Sequence, residues 1–272
     1  TRSDISAGEP VIDTTPPTIT LNPISPDGAG ASVINGFEQN QPVTLTGTTT
    51  AQVGSTVTLT WLDSTSATLF TATATVQAGT AGGANTFSIP VTGAAIGALT
   101  DGTYTPQVSV TNLFGLTGTD TESLRVDTTA PSAPTVALPE ALGGINAAEA
   151  LSSSGTPLVV TLPVDAAVGD TVTTLVTNPD GTVLVLTHAI VASDLPAAQG
   201  GTATGTGPFT VTQTIPSSAL TVDGPWTTRT TVTDTAGNAS VPQTASFTLD
   251  TAAPSVPGVA LPEALNGVSA AE

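Results

Sequence analysis

Apolar and hydroxylated side chains alternate along this chain in short runs, broken by glycine, proline, asparagine and aspartate. Val43-Thr44-Leu45-Thr46-Gly47 is typical, and Thr56-Val57-Thr58-Leu59-Thr60-Trp61-Leu62 is longer. Side chains two apart share one face of a strand, so this period of two marks strands with one face in a core. The pattern predicts strands at 18–21, 43–47, 56–62, 69–76, 86–91, 104–111 and 119–126, then at 135–138, 158–162, 171–177, 183–191, 209–215, 226–233 and 244–249. Asn178-Pro179-Asp180-Gly181 reads as a hairpin turn. No helical period persists, and 147–151 offers at most a single turn.

The strands come in two matching sets because the chain repeats itself. Residues 127–149 and 250–272 agree at 17 of 23 positions, and 13–38 follows the same plan with three extra residues before its final Glu. The copies begin at 13, 127 and 250, a period of 114 and then 123 residues, which is one small domain per repeat. The expected organisation is the tail of a preceding module or a linker at 1–12, a first module at 13–126, a second at 127–249, and the start of a following module at 250–272. Seven strands in about 115 residues is the count of an immunoglobulin-like sandwich. The fold expected is therefore all-β: tandem immunoglobulin-like β-sandwich modules of about seven strands, joined end to end by short Pro-rich linkers whose fixed φ angles stiffen them. Asp101 and Asp223 open the sixth strand of each module, and eleven residues after each comes a second polar turn, at Asn112 and Asp234. Trp61 stands in the third strand, where such sandwiches bury a Trp; the second module has Leu175 in the comparable strand, so its core is expected to differ.

Composition narrows the function. Twenty-one acids stand against three Arg and no Lys, a formal charge of −18. Phosphate-backbone binding needs Lys and Arg, so nucleic acid is excluded as an ordinary partner, and an anionic membrane surface is disfavoured. Only 9% of residues are charged and 39% are hydrophobic, so the acid excess does not signal disorder. The longest apolar stretch, 183–192, is broken by Thr187 and His188 and falls short of the ~18 residues of a span. The absence of Cys fits a cytosolic protein or an exported one stabilised without disulfides, and the lack of Lys with abundant Thr, Gly and Asp leans towards export. His188 is the single His and lies in an apolar run, no Cys nucleophile exists, and no Gly-rich loop precedes a helix. The chain is therefore not expected to be an enzyme.

The acids fall at particular places. In a sandwich whose strands run alternately up and down, the turns after the first, third and fifth strands share a pole with the exit of the seventh. Glu38 and Glu149 lie in the first of these turns, Asp101 and Asp223 in the last, and Asp127 and Asp250 end the seventh strands. Asp165, Asp170, Asp234 and Asn238 lie in turns at the opposite pole of the second module, so Glu38, Asp101 and Asp127 are expected to face Asp165 and Asp234. Asp13, with Asp4, is assigned to the junction before the first module. Gathered carboxylates repel one another unless a cation is present. Hard oxygen ligands in turns, without His or Cys, suit Ca²⁺ better than Mg²⁺ or Zn²⁺. The candidate Ca²⁺ ligands are Asp127, Glu38, Asp101, Asp250, Glu149, Asp223, Asp234, Asp165 and Asp13. The competing reading is that Asp is common in turns for turn geometry alone.

Residues 126–150, VDTTAPSAPTVALPEALGGINAAEA, with the later DGPW and VTDTAGNAS, resemble the bacterial Ig-like repeats of giant surface adhesins of the biofilm-associated and RTX types, which type I secretion exports. The resemblance covers nearly the whole chain. It implies an extracellular stalk at the bacterial cell surface, rigidified by Ca²⁺ at module boundaries, whose partners are neighbouring modules and whose adhesion target is met elsewhere in the parent protein. The acids it implies as ligands are Asp127, Glu149, Asp223, Asp234 and Asp250. The first module departs from the pattern, reading Val110-Thr111-Asn112-Leu113-Phe114-Gly115 and Ile34-Asn35-Gly36-Phe37-Glu38. Two other readings remain open: a binding module that contacts a glycan or host protein directly, and a repeat unit of a surface layer or fibre. Direct binding is disfavoured by the 3% aromatic content, since binding hot spots favour exposed Trp, Tyr and Arg. Phe37 and Phe114 are candidates for exposure, with burial at a junction the favoured expectation.

Overall fold

Strand after strand buries every second side chain, as the alternation requires: Val43, Leu45, Gly47 and Thr49 point inward from one, Val57, Leu59 and Trp61 from the next. The computed structural model describes residues 14–24, 32–80, 83–195 and 209–259. It divides into two units, the first of residues 1–132 with segments 165–171 and 232–240, the second of 133–164, 172–231 and 241–272. Both are all-β sandwiches built of small sheets.

In the first unit the strands are β1 (Ile19–Leu21), β2 (Val33–Ile34), β3 (Val43–Thr49), β4 (Thr56–Leu62), β5 (Thr68–Thr75), β6 (Asn85–Val91), β7 (Gly102–Thr111), β8 (Thr117–Thr121) and β9 (Leu124–Val126). One sheet runs β1-β3-β6, the other β2-β9-β7-β4-β5, with β8 also paired to β7. The β2–β9 pair is parallel, setting Val33 opposite Arg125 and Ile34 opposite Val126. Between the sheets lies a core that includes Leu21, Leu45, Leu59, Trp61, Ile89 and Val108. Trp61 is fully buried and stacks on Phe70 with ring centroids 5.1 Å apart. Gly47 faces this core where strands and ring approach closely: a Cβ there would lie 2.0 Å from the Thr20 carbonyl oxygen and 2.4 Å from the Phe87 ring. A short helix, α1 (Gly93–Gly97), capped by the Thr92 hydroxyl, turns Ile96 into the core. Five residues are too few for a helical period to show in sequence.

In the second unit, β10 (Thr135–Ala137), β12 (Thr156–Leu162) and β15 (Phe209–Ile215) make one sheet. The other runs β11 (Ile145–Asn146), β17 (Gln243–Asp250), β16 (Gly224–Thr233), β13 (Thr171–Thr177), β14 (Val183–Ala189), and again its first pair is parallel. A single helical turn, α2 (Ala147–Ala150), follows β11. Leu175 lies in the comparable strand, β13, whose inward positions are Val172, Thr174 and Val176, so Val176 takes the place of Trp61 and Leu175 points to the opposite face, half-buried. The second core is also more polar, with the buried Thr174 and Thr230 hydroxyls 2.8 Å apart.

One device recurs in both units. The Tyr104 hydroxyl donates to the Thr100 carbonyl (2.8 Å) and accepts from the Thr100 amide (3.1 Å). Trp226 Nε1 donates to the Val222 carbonyl (2.9 Å). Each partner lies four residues upstream, at the corner where the long strand of the second sheet begins; a hydroxyl so placed is the tyrosine corner of sandwich domains. The structure differs from the sequence expectation where strands are shortest. The last strand expected in the first repeat, 119–126, is two pieces, β8 and β9, and the two-residue β2 and β11 are too short for alternation to reveal.

Candidate functional site

Residues 234–238 form a turn closed by its own first side chain. Asp234 Oδ1 accepts from the amides of Ala236 (2.9 Å) and Asn238 (2.8 Å), and Gly237 takes the positive φ, +96°, that the bend requires. Asn112 builds the same turn in the first repeat, accepting from the amides of Phe114 and Leu116 (both 3.0 Å). What differs is the fifth residue. Asn238, nearly buried, uses its whole side-chain amide: Oδ1 accepts from the Gly36 amide (2.8 Å), while Nδ2 donates to the Asp127 carbonyl (2.8 Å) and to Asp234 Oδ2 (2.9 Å). Asn35 Nδ2 donates to the Ala236 carbonyl (3.2 Å). Leu116 in the first repeat can do none of this.

A second turn joins the same place. Asp165 Oδ2 accepts from the Ser132 amide (2.9 Å) and hydroxyl (2.8 Å), and Asp170 Oδ2 accepts from the Ala167 amide (2.8 Å). Arg125, on β9, pairs with Asp127, and its guanidinium also donates to the Thr235 hydroxyl (3.1 Å). The outcome, entirely within the first unit, is a cleft whose charged lining is Arg125, Asp127, Asp165, Asp170 and Asp234. Asp170 is 3% exposed. Burial pushes its carboxyl above the usual carboxylate range and the charges of Asp234 and Asp165 push the same way, while the amides of Ala167 and Thr235 pull against them.

Other predicted residues sit nearby in different roles. Asp101 does not line the cleft. It accepts from the Thr129 hydroxyl (2.6 Å) and from the hydroxyl (2.7 Å) and amide (2.8 Å) of Thr128, which hold its carboxyl below the ordinary value. Glu38 is buried with its Oε2 on the Asn35 amide (3.0 Å), while Asn35 Oδ1 accepts from the amides of Phe37 and Glu38. That is the reciprocal closure of a capping box. In the second unit Glu149 and Asn146 close in the same way. There Asp223 accepts from the amide (3.0 Å) and hydroxyl (2.9 Å) of Thr251, and Asp250 from the Ala252 amide (3.0 Å). Asp13 and Asp4 lie outside the described residues.

The structure thus brings Asp127, Asp165 and Asp234 to one cleft, adds Asp170 and Arg125, and uses Glu38 and Glu149 as caps, Glu38 being buried. Among the described residues, no three His, Cys, Asp or Glu side chains converge into a ready metal-binding group. Oxygens able to hold a cation line the cleft rather than meet at a point. Phe37 and Phe114 are not buried: they are 86% and 52% exposed. His188 pairs with Asp194 (2.8 Å) beside β14. The described residues contain no catalytic constellation, and no helix among them is long and apolar enough to cross a membrane.

No family model matches the chain, and no curated protein matches it. Among solved structures it is similar to a 1.5-MDa bacterial ice-binding adhesin studied for host cell surface retention, at 25% identity and a TM-score of 0.39, over 89% of this chain and 67% of that one. It is also similar to a tetra-tandem repeat from the extending region of a large adhesion protein, at 25% identity and a TM-score of 0.32, over 86% of this chain and 49% of that one. A third likeness is to the fibronectin(III)-like modules of Clostridium thermocellum CbhA, at 13% identity and a TM-score of 0.42, over 86% and 95%. The chain spans about two thirds of the first of these and about half of the second. With every TM-score below 0.5, these stand as similarities only.

Proposed function

We propose that this chain is a structural extender: repeated sandwich modules of a large secreted bacterial surface adhesin, made into a stiff rod by Ca²⁺ among turn carboxylates. In this reading it sits outside the cell, its partners are neighbouring modules of the same chain, and it projects an adhesive domain located elsewhere in the parent protein, for cell adhesion and biofilm formation. The observation that carries it is the cleft in which Asp127, Asp165, Asp170 and Asp234, drawn from three segments far apart in sequence, stand together. Burial is the main reason the Asp170 carboxyl is raised, and a cation there would offset the charges of Asp234 and Asp165 that push it the same way. Carboxylate oxygens presented by turns suit Ca²⁺, which extracellular modules bind with Kd of roughly 10⁻⁴–10⁻³ M. At ten times Kd one such site contributes about 1.4 kcal/mol. That is modest against the stability of a fold and sizeable against the freedom of two turns. The matching closures in the second repeat, Asp223 on Thr251, Asp250 on the Ala252 amide and Glu149 with Asn146, support a device used once per repeat.

Small-angle scattering in millimolar Ca²⁺ and in excess chelator tests the reading, together with calorimetric titration of Ca²⁺ into the chain and its Asp127→Ala variant. The expected outcome is a distance distribution that shortens and broadens on chelation, and at least tenfold weaker binding in the variant. Identical scattering in both conditions, with no heat of binding, would leave the acids as solvated turn residues and end the calcium reading.

A further inference from the structure

We propose that Arg125 is a built-in counter-ion that holds the turns at 165–170 and 234–238 in place without any metal, with the Asn238 side chain as the latch it stabilises. The inference goes beyond the calcium reading and does not need it. Arg125 is one of three basic side chains in a chain without Lys, and it lines the cleft where Asp127, Asp165, Asp170 and Asp234 stand. Its backbone is fixed by the parallel β2–β9 ladder, in which its amide donates to the Ser32 carbonyl (2.9 Å). Its guanidinium reaches both sides of the cleft, pairing with Asp127 and donating to the Thr235 hydroxyl. A guanidinium stays charged at every working pH and presents donors in a planar fork, so one side chain can bridge a carboxylate and a hydroxyl. With like charges offset, the neutral bonds of Asn238 to Gly36 and to the Asp127 carbonyl, and the charge-assisted bond of Asp165 to Ser132, can form.

The second unit supplies the contrast. The residue two places before Asp250 is Thr248, where Arg125 stands two places before Asp127. Asp223, Asp250 and Glu149 make no salt bridge there, since the two described ion pairs are Arg125–Asp127 and His188–Asp194. Among the described residues, the two repeats therefore carry the same acidic closures with different provision for charge: the first has an arginine paired with its strand-end aspartate, and the second has no ion pair at the matching acids.

Amide hydrogen exchange on the full chain in excess chelator tests this. The Gly36 and Ser132 amides, bonded to Asn238 and Asp165, report on the two turns, and the amides of the β4–β7 ladder report on the fold. In the wild-type chain Gly36 and Ser132 should be protected without Ca²⁺. Arg125→Thr, which copies Thr248, should speed both at least tenfold and leave the ladder unchanged, and Arg125→Lys should restore most of the protection. Unprotected wild-type amides in chelator, or unchanged exchange in Arg125→Thr, would overturn the inference. If Arg125→Thr also loosened the ladder, fast Gly36 exchange in Asn238→Ala with an intact ladder would support it, and slow exchange there would sink it. Adding Ca²⁺ to Arg125→Thr separates the two readings. Restored protection favours calcium at the cleft, and its absence counts against calcium while the arginine result stands.

Discussion

A phenol at Tyr104 and an indole at Trp226 each tie a corner to a carbonyl four residues upstream. Each keeps a polar atom satisfied at the edge of a core, the usual requirement for burying such rings. Trp61 is the exception: its Nε1 is buried without a partner, at a cost that the stacking on Phe70 and the surrounding apolar burial must outweigh. His188 and Asp194 show a charge used locally. Burial alone would raise the Asp194 carboxyl, but the Val191 amide and His188 outweigh it and hold the carboxyl below the ordinary 3.8. The folded state therefore favours the ionised form. The stability this gives is complete above the unfolded value and is lost as pH falls through the depressed folded one. Asp194→Asn should lower the unfolding midpoint in urea at about pH 6, and the gap to the wild-type chain should narrow towards about pH 2. A gap independent of pH would mean that the carboxylate charge contributes nothing.

The strands illustrate what a period of two can and cannot carry. The expected 56–62, 171–177 and 209–215 are β4, β13 and β15 residue for residue, because each alternates over its full length with one face in a core. β2 and β11 have two residues each, so no alternation exists to be read, and α1 is held by a Thr cap and one buried Ile rather than by an amphipathic stripe. The gathering of Asp127, Asp165 and Asp234 was legible from strand counting, since up-and-down order fixes which turns share a pole. Arg125 was not, because it reads as an ordinary outward residue of a strand. Glu38 and Glu149 carried a readable cue that points away from ligation: Asn-x-x-Glu at 35–38 and 146–149 is the spacing of a capping box. Element packing also sets a testable limit at Gly47, whose neighbours are a carbonyl oxygen of β1 and the Phe87 ring. Gly47→Ala should destabilise the first unit by about 1–3 kcal/mol in denaturant unfolding, since neither backbone nor ring can yield without disturbing the core. A change within about 0.5 kcal/mol would show that β1 moves freely on its sheet.

At the scale of the whole molecule, 18 excess negative charges repel one another across both units. Raising NaCl from about 0.01 to 0.15 M shortens the screening length from about 30 to 8 Å, so Tm should rise over that range and level off beyond it. Calorimetry checks this, and a flat or falling Tm would mean that the charges are too dispersed to matter. The parallel ladders β2–β9 and β11–β17 carry one more consequence. Each joins a strand near the start of its sandwich to the last strand of the same sandwich, with both chains running the same way. If the two ends of such a domain are pulled apart, the strands slide past each other along their length. The bonds from the amides of Arg125 and Asp127 to the carbonyls of Ser32 and Ile34 are then loaded together in shear instead of being opened one at a time like a zip. Tension is met at the outset by several bonds in parallel, and the first event under force is the rupture of that patch.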